Sequence, residues 1–319
     1  MTARRALVTG GAGFIGSHLV DALLAAGREV TILDDLSTGR WENLVPALNR
    51  GAHLHAVSVT DAGAVTRLLE QERPDTVFHL AAQIDVRHAV TDPVRDALIN
   101  MVGTVTVLQA AQRAGVRRLL LASTGGAIYG DAATIPTPET AAAHAGSPYA
   151  ASKAAAESYL DLYRELHRLS TLSLRMANVY GPRQNAAGEA GVIAIFCAAA
   201  ADPARTVTVY GDGAQTRDFV YIGDVVAAFL AAAECSHSGQ INIGTGEETS
   251  VLHVARTLGL RVRHAPDRPG EVRRSCLDPR LAATVLGWRA RTPLEDGLEH
   301  TLTSMAAATD PARAASAAR

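Results

Sequence analysis

The sequence predicts an α/β fold, a doubly wound parallel sheet with a smaller α/β lobe on its C-terminal side. Three observations predict it. Short apolar runs alternate with helical stretches through the first 176 residues, a glycine-spaced turn joins the first run to the first helix, and the alternation breaks after Tyr180-Gly-Pro182. Strand–helix alternation of this kind buries a parallel sheet between two helical layers.

Taken in order, Ala6-Leu-Val-Thr9 is the first strand, and a helix follows through Leu19, Val20, Leu23 and Leu24 to stop at Gly27. Val30-Thr-Ile-Leu33 is the second strand, closed by Asp34-Asp35. Thr76-Val-Phe-His-Leu80 and Arg118-Leu-Leu-Leu-Ala122 are near-continuous apolar runs, as parallel strands buried on both faces require. Helical patterns cover Ala64–Gln71 and Ala97–Ala114, and Leu172-Ser-Leu-Arg175 is a further strand. Beyond Pro182, loops rich in Gly, Pro, Arg and Asp separate short elements. The organisation expected is a cofactor domain over 1–176, a substrate lobe over 177–305 and a disordered Ala-rich tail over 306–319. Residues 217–243 are expected to return to the cofactor domain through Phe219-Val-Tyr-Ile222 and Ile241-Asn-Ile243.

With 319 residues and 48% hydrophobic content, the chain can bury a large core. A net charge of −2 with scattered arginines gives no footprint for nucleic acid or a membrane surface. No stretch has the length of a membrane span, and glycines break the first apolar run, so no signal peptide is expected. Cys197, Cys235 and Cys276 show no metal-type spacing and suit a reducing cytoplasm, with Cys197 buried in Val192-Ile-Ala-Ile-Phe-Cys197. His18, His79, His88 and His253 lack ligand spacing, and no metal is expected. His79 is read as packing in its strand, and Asp85 and His88 as loop charges that could reach substrate.

Two motifs carry chemistry. In Thr9-Gly10-Gly11-Ala12-Gly13-Phe14-Ile15-Gly16, glycines 10, 13 and 16 let backbone N–H groups approach a pyrophosphate at a helix N-terminus. Asp34 ends the next strand, 18 residues past Gly16. A carboxylate there accepts from both adenosine ribose hydroxyls and repels a 2′-phosphate, which predicts NAD rather than NADP. The second motif is Ser147-Pro-Tyr-Ala-Ala-Ser-Lys153. Tyr149 and Lys153 share a helix face one turn apart, and an ammonium beside the phenol is expected to lower the tyrosine pKa toward the working pH. Tyr149 is thus a candidate acid/base for an alcohol or sugar hydroxyl.

Ordered motifs extend beyond these two: Val8-Thr-Gly-Gly-Ala-Gly-Phe-Ile-Gly-Ser-His18, Leu33-Asp-Asp-Leu-Ser-Thr-Gly39, Phe78-His-Leu-Ala-Ala-Gln83, Asn100 with Gly103-Thr104, and Ser123-Thr-Gly-Gly-Ala-Ile-Tyr-Gly130. Asn178-Val-Tyr-Gly-Pro-Arg183, Arg217-Asp-Phe-Val-Tyr-Ile-Gly-Asp224, Asn242-Ile-Gly-Thr-Gly246 and Arg268-Pro-Gly-Glu271 follow. Together they make the chain resemble the extended short-chain dehydrogenase/reductases, which have a Rossmann-type sheet, and within them the bacterial NAD-dependent nucleotide-sugar epimerases of the UDP-glucose (UDP-galactose) 4-epimerase kind. The resemblance implies that Gly10, Gly13, Phe14, Ile15 and Gly16 hold the pyrophosphate and Asp34 the adenosine ribose. It places Ser58 and Val59 at the adenine, where an acidic residue is common at position 58, and Leu80, Ala81, Ala82 and Gln83 along the cofactor. Lys153 would also bond the nicotinamide ribose. For the substrate it implies Asn178 at the phosphates, Arg217 and Arg268 clamping the pyrophosphate, Val192, Thr208 and Tyr210 at the uracil, and Glu271 at the uridine ribose. It further implies a homodimer joined by a four-helix bundle from the helices near Ala97–Ala114 and Tyr149–Leu166.

Relatives share an opening step in which the tyrosine takes the 4-hydroxyl proton and C4 is oxidised to a ketone. Ser123 or Thr124 would bond the same oxygen. Dehydratase relatives supply an Asp-Glu pair after the Thr of this loop, and decarboxylating relatives a Glu, whereas here Gly125 and Gly126 follow Thr124. The glycines carry no proton and are expected to leave room for the ketone to turn. In several relatives the catalytic hydroxyl stands four residues before the loop tyrosine, where this chain has Gly125. The function expected is C4 epimerisation of a UDP-hexose. Open beside it stand a UDP-glucuronate or UDP-N-acetylhexosamine 4-epimerase, a nucleotide-sugar dehydratase or reductase, and a non-catalytic NAD-binding sensor. Ser275 falls near the sugar 2-substituent in relatives, and Arg183 or Arg274 could face a 6-carboxylate.

Overall fold

A computed structural model of the chain describes residues 4–186, 191–202, 204–268 and 272–309. The strands in chain order are β1 (Arg5–Thr9), β2 (Glu29–Leu33), β3 (His53–His55), β4 (Thr76–His79), β5 (Arg118–Thr124), β6 (Ser170–Met176) and β7 (Asn178–Tyr180). Then come β8 (Thr206–Tyr210), β9 (Thr216–Arg217), β10 (Phe219–Tyr221), β11 (Gly239–Ile243), β12 (Thr249–Ser250), β13 (Arg261–Ala265) and β14 (Arg274–Ser275). Seven of them form one sheet in the order β11-β6-β5-β4-β1-β2-β3, parallel throughout. This is the doubly wound order, and it reverses direction between β1 and β4, so a crevice opens beyond the C-terminal ends of those two strands.

Each face of the sheet buries one core. On one face, helices Phe14–Ala25 and Ile222–Glu234 pack with Trp288 against Val8, Ile32, Phe78 and Leu120. On the other, helices Ala62–Glu72, Gly103–Arg113 and Pro148–His167 cover Leu7, Val77, Leu119 and Leu121. Adjacent strand residues thus feed opposite cores, which is why these strands read as unbroken apolar runs. A third core, around Phe196, Val209, Phe219, Val254 and Leu298, belongs to the C-terminal elements.

Several elements differ from the sequence reading. β3 was not visible because its three residues are all exposed or half-buried. Of the two segments expected to cross back, β11 joins the main sheet beside β6, whereas β10 pairs with β7 in a separate two-stranded sheet. The expected helix 97–114 is two helices, Pro93–Ala97 and Gly103–Arg113, joined by a π-helical turn at Leu98–Val102 that contains the buried Asn100. The tail expected to be disordered from 306 is helical to Thr309, because the helix Leu294–Thr309 is anchored by buried Leu298 and Thr301. Residues 310–319 of that tail lie outside the described residues. Among the described residues, no helix is long and apolar enough to cross a membrane.

Candidate active site

The crevice is a cavity of ≈ 500 Å³. It is lined by Gly10, Gly13, Phe14, Ile15, Gly16, Asp34, Ser58, Val59 and Leu80–Gln83 at one end, and by Ser123, Thr124, Tyr149 and Lys153 at the other. The fold therefore gathers every residue assigned to the cofactor, together with the four candidate catalytic residues, into one space.

The glycine turn has the shape a pyrophosphate needs. A Cβ on Gly10, where φ is +68°, would stand 2.6 Å from the Ala81 backbone nitrogen, and one on Gly16 would stand 2.1 Å from the Gly10 carbonyl oxygen. No side chain caps the helix that begins at Phe14, so its first N–H groups are left for an anion. Asp34 is pinned by the N–H of Ala12 (2.8 Å) and of Leu36 (2.9 Å), one on each oxygen. Each oxygen keeps a lone pair for a ribose hydroxyl. Burial pushes this carboxyl above its ordinary range, opposed by those two N–H groups. These residues fit NAD.

Gln83 is held in place by Asn100 and Asp96. Its N–H donates to Asn100 Oδ1 (2.9 Å), Asn100 Nδ2 returns to the Gln83 carbonyl (2.9 Å), and Gln83 Nε2 reaches Asp96 Oδ1 (3.1 Å). The π turn places Asn100 for this role. His79 lies deeper. Its Nδ1 contacts Thr9 Oγ1 at 2.7 Å and its Nε2 contacts Thr104 Oγ1 at 3.0 Å, while Thr104 gives its own proton to the Asn100 carbonyl at 2.6 Å. Thr104 must therefore accept from Nε2–H, so Nδ1 accepts from Thr9. Burial pushes His79 down to about 3, with the Lys153 charge adding to it. Asp85 caps the helix Val86–Thr91 by accepting from the His88 N–H at 2.8 Å, and both residues line the cavity.

The catalytic end corrects one expectation. Lys153 Nζ donates to the Ala122 carbonyl oxygen at 2.6 Å, which takes one of its three N–H groups. Tyr149 as a whole keeps some surface on the cleft, but its phenol oxygen is densely surrounded, and desolvation pushes it up to about 12, with a Thr124 hydrogen bond pulling the other way. At the phenol, burial outweighs the pull expected from the neighbouring lysine. The choice between the two hydroxyls narrows. Ser123 Oγ donates to Glu157 Oε1 at 2.5 Å, while Thr124 bonds Tyr149. Glu157 was not found from the sequence, although it continues the spacing of Tyr149 and Lys153 by another four residues. A second overlooked signal was composition: of the 30 basic Lys and Arg residues, Lys153 is the one lysine in the chain.

The two glycines differ from what was expected of them. Leu277 fills the space beside Gly125, where a Cβ would lie 2.6 Å from Leu277 Cδ1, so this glycine leaves no room for a turning sugar. A Cβ on Gly126 would be in ordinary van der Waals contact, 3.6 Å from Asn178 Oδ1 and 4.0 Å from Ser275 Oγ.

The substrate residues are spread over the C-terminal elements. Asn178 opens β7, between the cleft residues Ala177 and Val179. Val192 begins the helix Val192–Ala200, and Thr208 and Tyr210 lie on β8. Arg268 stacks on the Tyr210 ring, with its guanidinium carbon 3.7 Å from the centroid, beside a hollow of ≈ 260 Å³ lined by Gln215, Asp267, Arg268, Val272 and Arg273. Arg217 ends β9 and donates to the Thr216 carbonyl at 2.8 Å. Of the described substrate candidates, Arg268 lines the second hollow, while Gly125, Gly126, Asn178, Val192, Thr208, Tyr210 and Arg217 line neither. Glu271 lies outside the described residues. Arg183 is paired with Asp21 at 2.7 Å through Nη2, while its buried Nη1 has no hydrogen-bond partner, and Arg274 is paired with both oxygens of Glu248.

Comparison with known proteins agrees with this geometry. The chain is 47% identical over 307 residues to the UDP-glucose 4-epimerase of Mycolicibacterium smegmatis, covering 93% of this chain and 97% of that one. The structure of a UDP-glucose 4-epimerase with UDP-glucose from Thermotoga maritima superposes with a TM-score of 0.92 at 42% identity, covering 96% of this chain and 100% of that one. The Thermus thermophilus UDP-glucose 4-epimerase in complex with NAD does so with a TM-score of 0.86 at 42% identity and the same coverage. Residues 6–244 match the NAD dependent epimerase/dehydratase family, and the chain belongs to that family.

Proposed function

We propose that the protein interconverts UDP-glucose and UDP-galactose by inverting C4 through a transient 4-keto sugar. The observation that carries this reading is the loop at the catalytic end. Thr124, Tyr149 and Lys153 meet there, and the residues after Thr124 are glycines with no carboxylate to eliminate water or assist loss of carbon dioxide. NAD, held by Gly10, Gly13, Phe14, Ile15, Gly16, Asp34, Ser58, Val59 and Leu80–Gln83, supplies the hydride acceptor and donor at C4, and in its oxidised form a positive charge in the same cleft. With NAD bound, its positive charge together with Lys153 would favour the Tyr149 phenolate, and it is the phenolate that takes the proton from the 4-hydroxyl and later returns it. Thr124 donates to that hydroxyl oxygen. Gly125 and Gly126 present no acidic or basic side chain to the ketone while it turns to present its other face.

The nucleotide is assigned to the C-terminal lobe, over 177–305, with Asn178, Arg217 and Arg268 at the phosphates, Val192, Thr208 and Tyr210 at the uracil and Glu271 at the ribose. Guanidinium forks suit a pyrophosphate. The names of the similar enzymes, and the UDP-glucose and NAD in two of their structures, support the sugar and the cofactor. The pairing of Arg274 to Glu248 weighs against a uronate contact from that arginine.

The protein is further read as a homodimer. Exposed apolar side chains concentrate on residues 84–102, upstream of most of the helix 97–114 expected to supply the interface, and on the helix Pro148–His167 at Tyr159, Leu162 and Leu166, with Val94 at 69% and Leu166 at 72% exposure. A stripe of this size on adjacent helices matches a four-helix interface with a second copy. Cys197, Cys235 and Cys276 are unpaired, which supports action in the cytoplasm. Proton NMR of the purified protein with UDP-glucose tests the reaction. UDP-galactose is the product expected, whereas a 4-keto-6-deoxy sugar would overturn the reading of Gly125 and Gly126.

A further inference from the structure

The helix Pro148–His167 carries Tyr149, Lys153 and Glu157 on one face at intervals of four residues. That spacing stacks them one turn apart. Each grips a different residue at the end of β5: Tyr149 bonds Thr124, Lys153 bonds the Ala122 carbonyl and Glu157 accepts from Ser123. Lys153 and Glu157 are each only 3% exposed. Glu157 is fixed from its far side by Arg175 of β6, whose Nε lies 3.0 and 3.1 Å from its two oxygens and whose Nη2 lies 2.6 Å from Oε2. Arg175 is steadied in turn by donating to the Tyr129 hydroxyl at 2.8 Å, and Tyr129 donates to Asn242 Oδ1 at 2.9 Å. The carboxylate cannot swing away from the helix face it shares with Lys153.

A buried ammonium stays charged only beside compensating negative charge. Burial draws Lys153 down to about 8, and the groups that oppose the loss of its proton are Glu157, then Asp96 from the helix Pro93–Ala97. Burial disfavours the charged forms of both His79, at the end of β4, and Tyr149, and Arg175 lies beyond Glu157.

We propose that Glu157 is a positioning residue for the reaction: it keeps Lys153 in the ammonium form and ties up the Ser123 hydroxyl, leaving Thr124 to face the sugar oxygen. This rests on the assignment of Tyr149 and Lys153 to proton transfer. Because the chain has one lysine, protein labelled with carbon-13 at the lysine ε position gives a single side-chain signal, and its titration reads Lys153 directly. The protein, Glu157→Gln and Arg175→Gln are titrated, and the alkaline limb of kcat is recorded for each. Glu157→Gln should lower the Lys153 midpoint by about one pH unit or more, and Arg175→Gln should raise it. Both variants break the same ion pair, so a merely structural role would not move the midpoint in opposite directions. A midpoint unchanged or raised in Glu157→Gln overturns the proposal. If that variant does not fold, Arg175→Gln decides, since a midpoint that falls or stays overturns it. Midpoints that move while the alkaline limb stays fixed would remove Lys153 from proton transfer, and this role of Glu157 with it.

Discussion

Replacing Thr124 by valine removes one hydroxyl and almost no volume. In the structure that hydroxyl bonds Tyr149 and lines the cleft, and the proposed mechanism has it donate to the oxygen from which the proton leaves. Removing one donor aimed at a developing oxyanion costs about 3–4 kcal/mol in the transition state, so kcat should fall by about 10²–10³ with little change in KM. Ser123→Ala is the matched control. The Ser123 proton already goes to Glu157, which keeps its three contacts from Arg175 when the serine is lost. The cost should appear in stability, about 1.5–3 kcal/mol for a bond to a charged acceptor, and lower the melting temperature by several degrees. Steady-state conversion of UDP-glucose, with calorimetric melting of both variants, separates the two effects. A Ser123→Ala enzyme that loses more kcat than Thr124→Val would refute the assignment.

Gly10→Ala should destabilise the protein by more than about 1 kcal/mol and weaken NAD binding, because its Cβ meets the Ala81 backbone at 2.6 Å in a left-handed conformation; calorimetric NAD titration with unaltered affinity would contradict this. His79, which burial holds at about 3 against an ordinary 6.5, makes stability fall as pH drops. The unfolded chain takes up this proton below about 6.5 and the folded chain does not, so about 2 kcal/mol is lost between neutrality and pH 5. Urea unfolding at the two pH values measures the loss, and His79→Asn should flatten the slope. Leu98→Asp with Leu166→Asp should convert a dimer to monomers in light scattering, since both side chains sit in the exposed apolar stripe.

The sheet and the cofactor turn were legible because their signals are local. Unbroken apolar runs mark strands buried on both faces, and the spacing from Gly16 to Asp34 spans one helix and one strand. β3 escaped because three half-exposed residues leave no pattern. The direction in which Tyr149 shifts could not be read, because spacing places Lys153 near the phenol without telling how deeply the phenol oxygen is buried. Tertiary packing supplied the answer, in the desolvation that raises it. Leu277 beside Gly125 and Glu157 beneath Ser123 are likewise contacts between segments far apart in the chain. In the C-terminal lobe, Tyr210 and Arg268 come together through strand pairing of β8 with β13, and no motif spacing encodes that.

The central claim is that C4 is oxidised and then reduced at the same carbon, with Tyr149 carrying the proton. UDP-glucose deuterated at C4, turned over by the purified protein and followed by NMR, tests it most directly. The account predicts UDP-galactose that retains the deuterium at C4, and loss of the conversion in Tyr149→Phe. Deuterium washed into solvent or moved to C6 would contradict it.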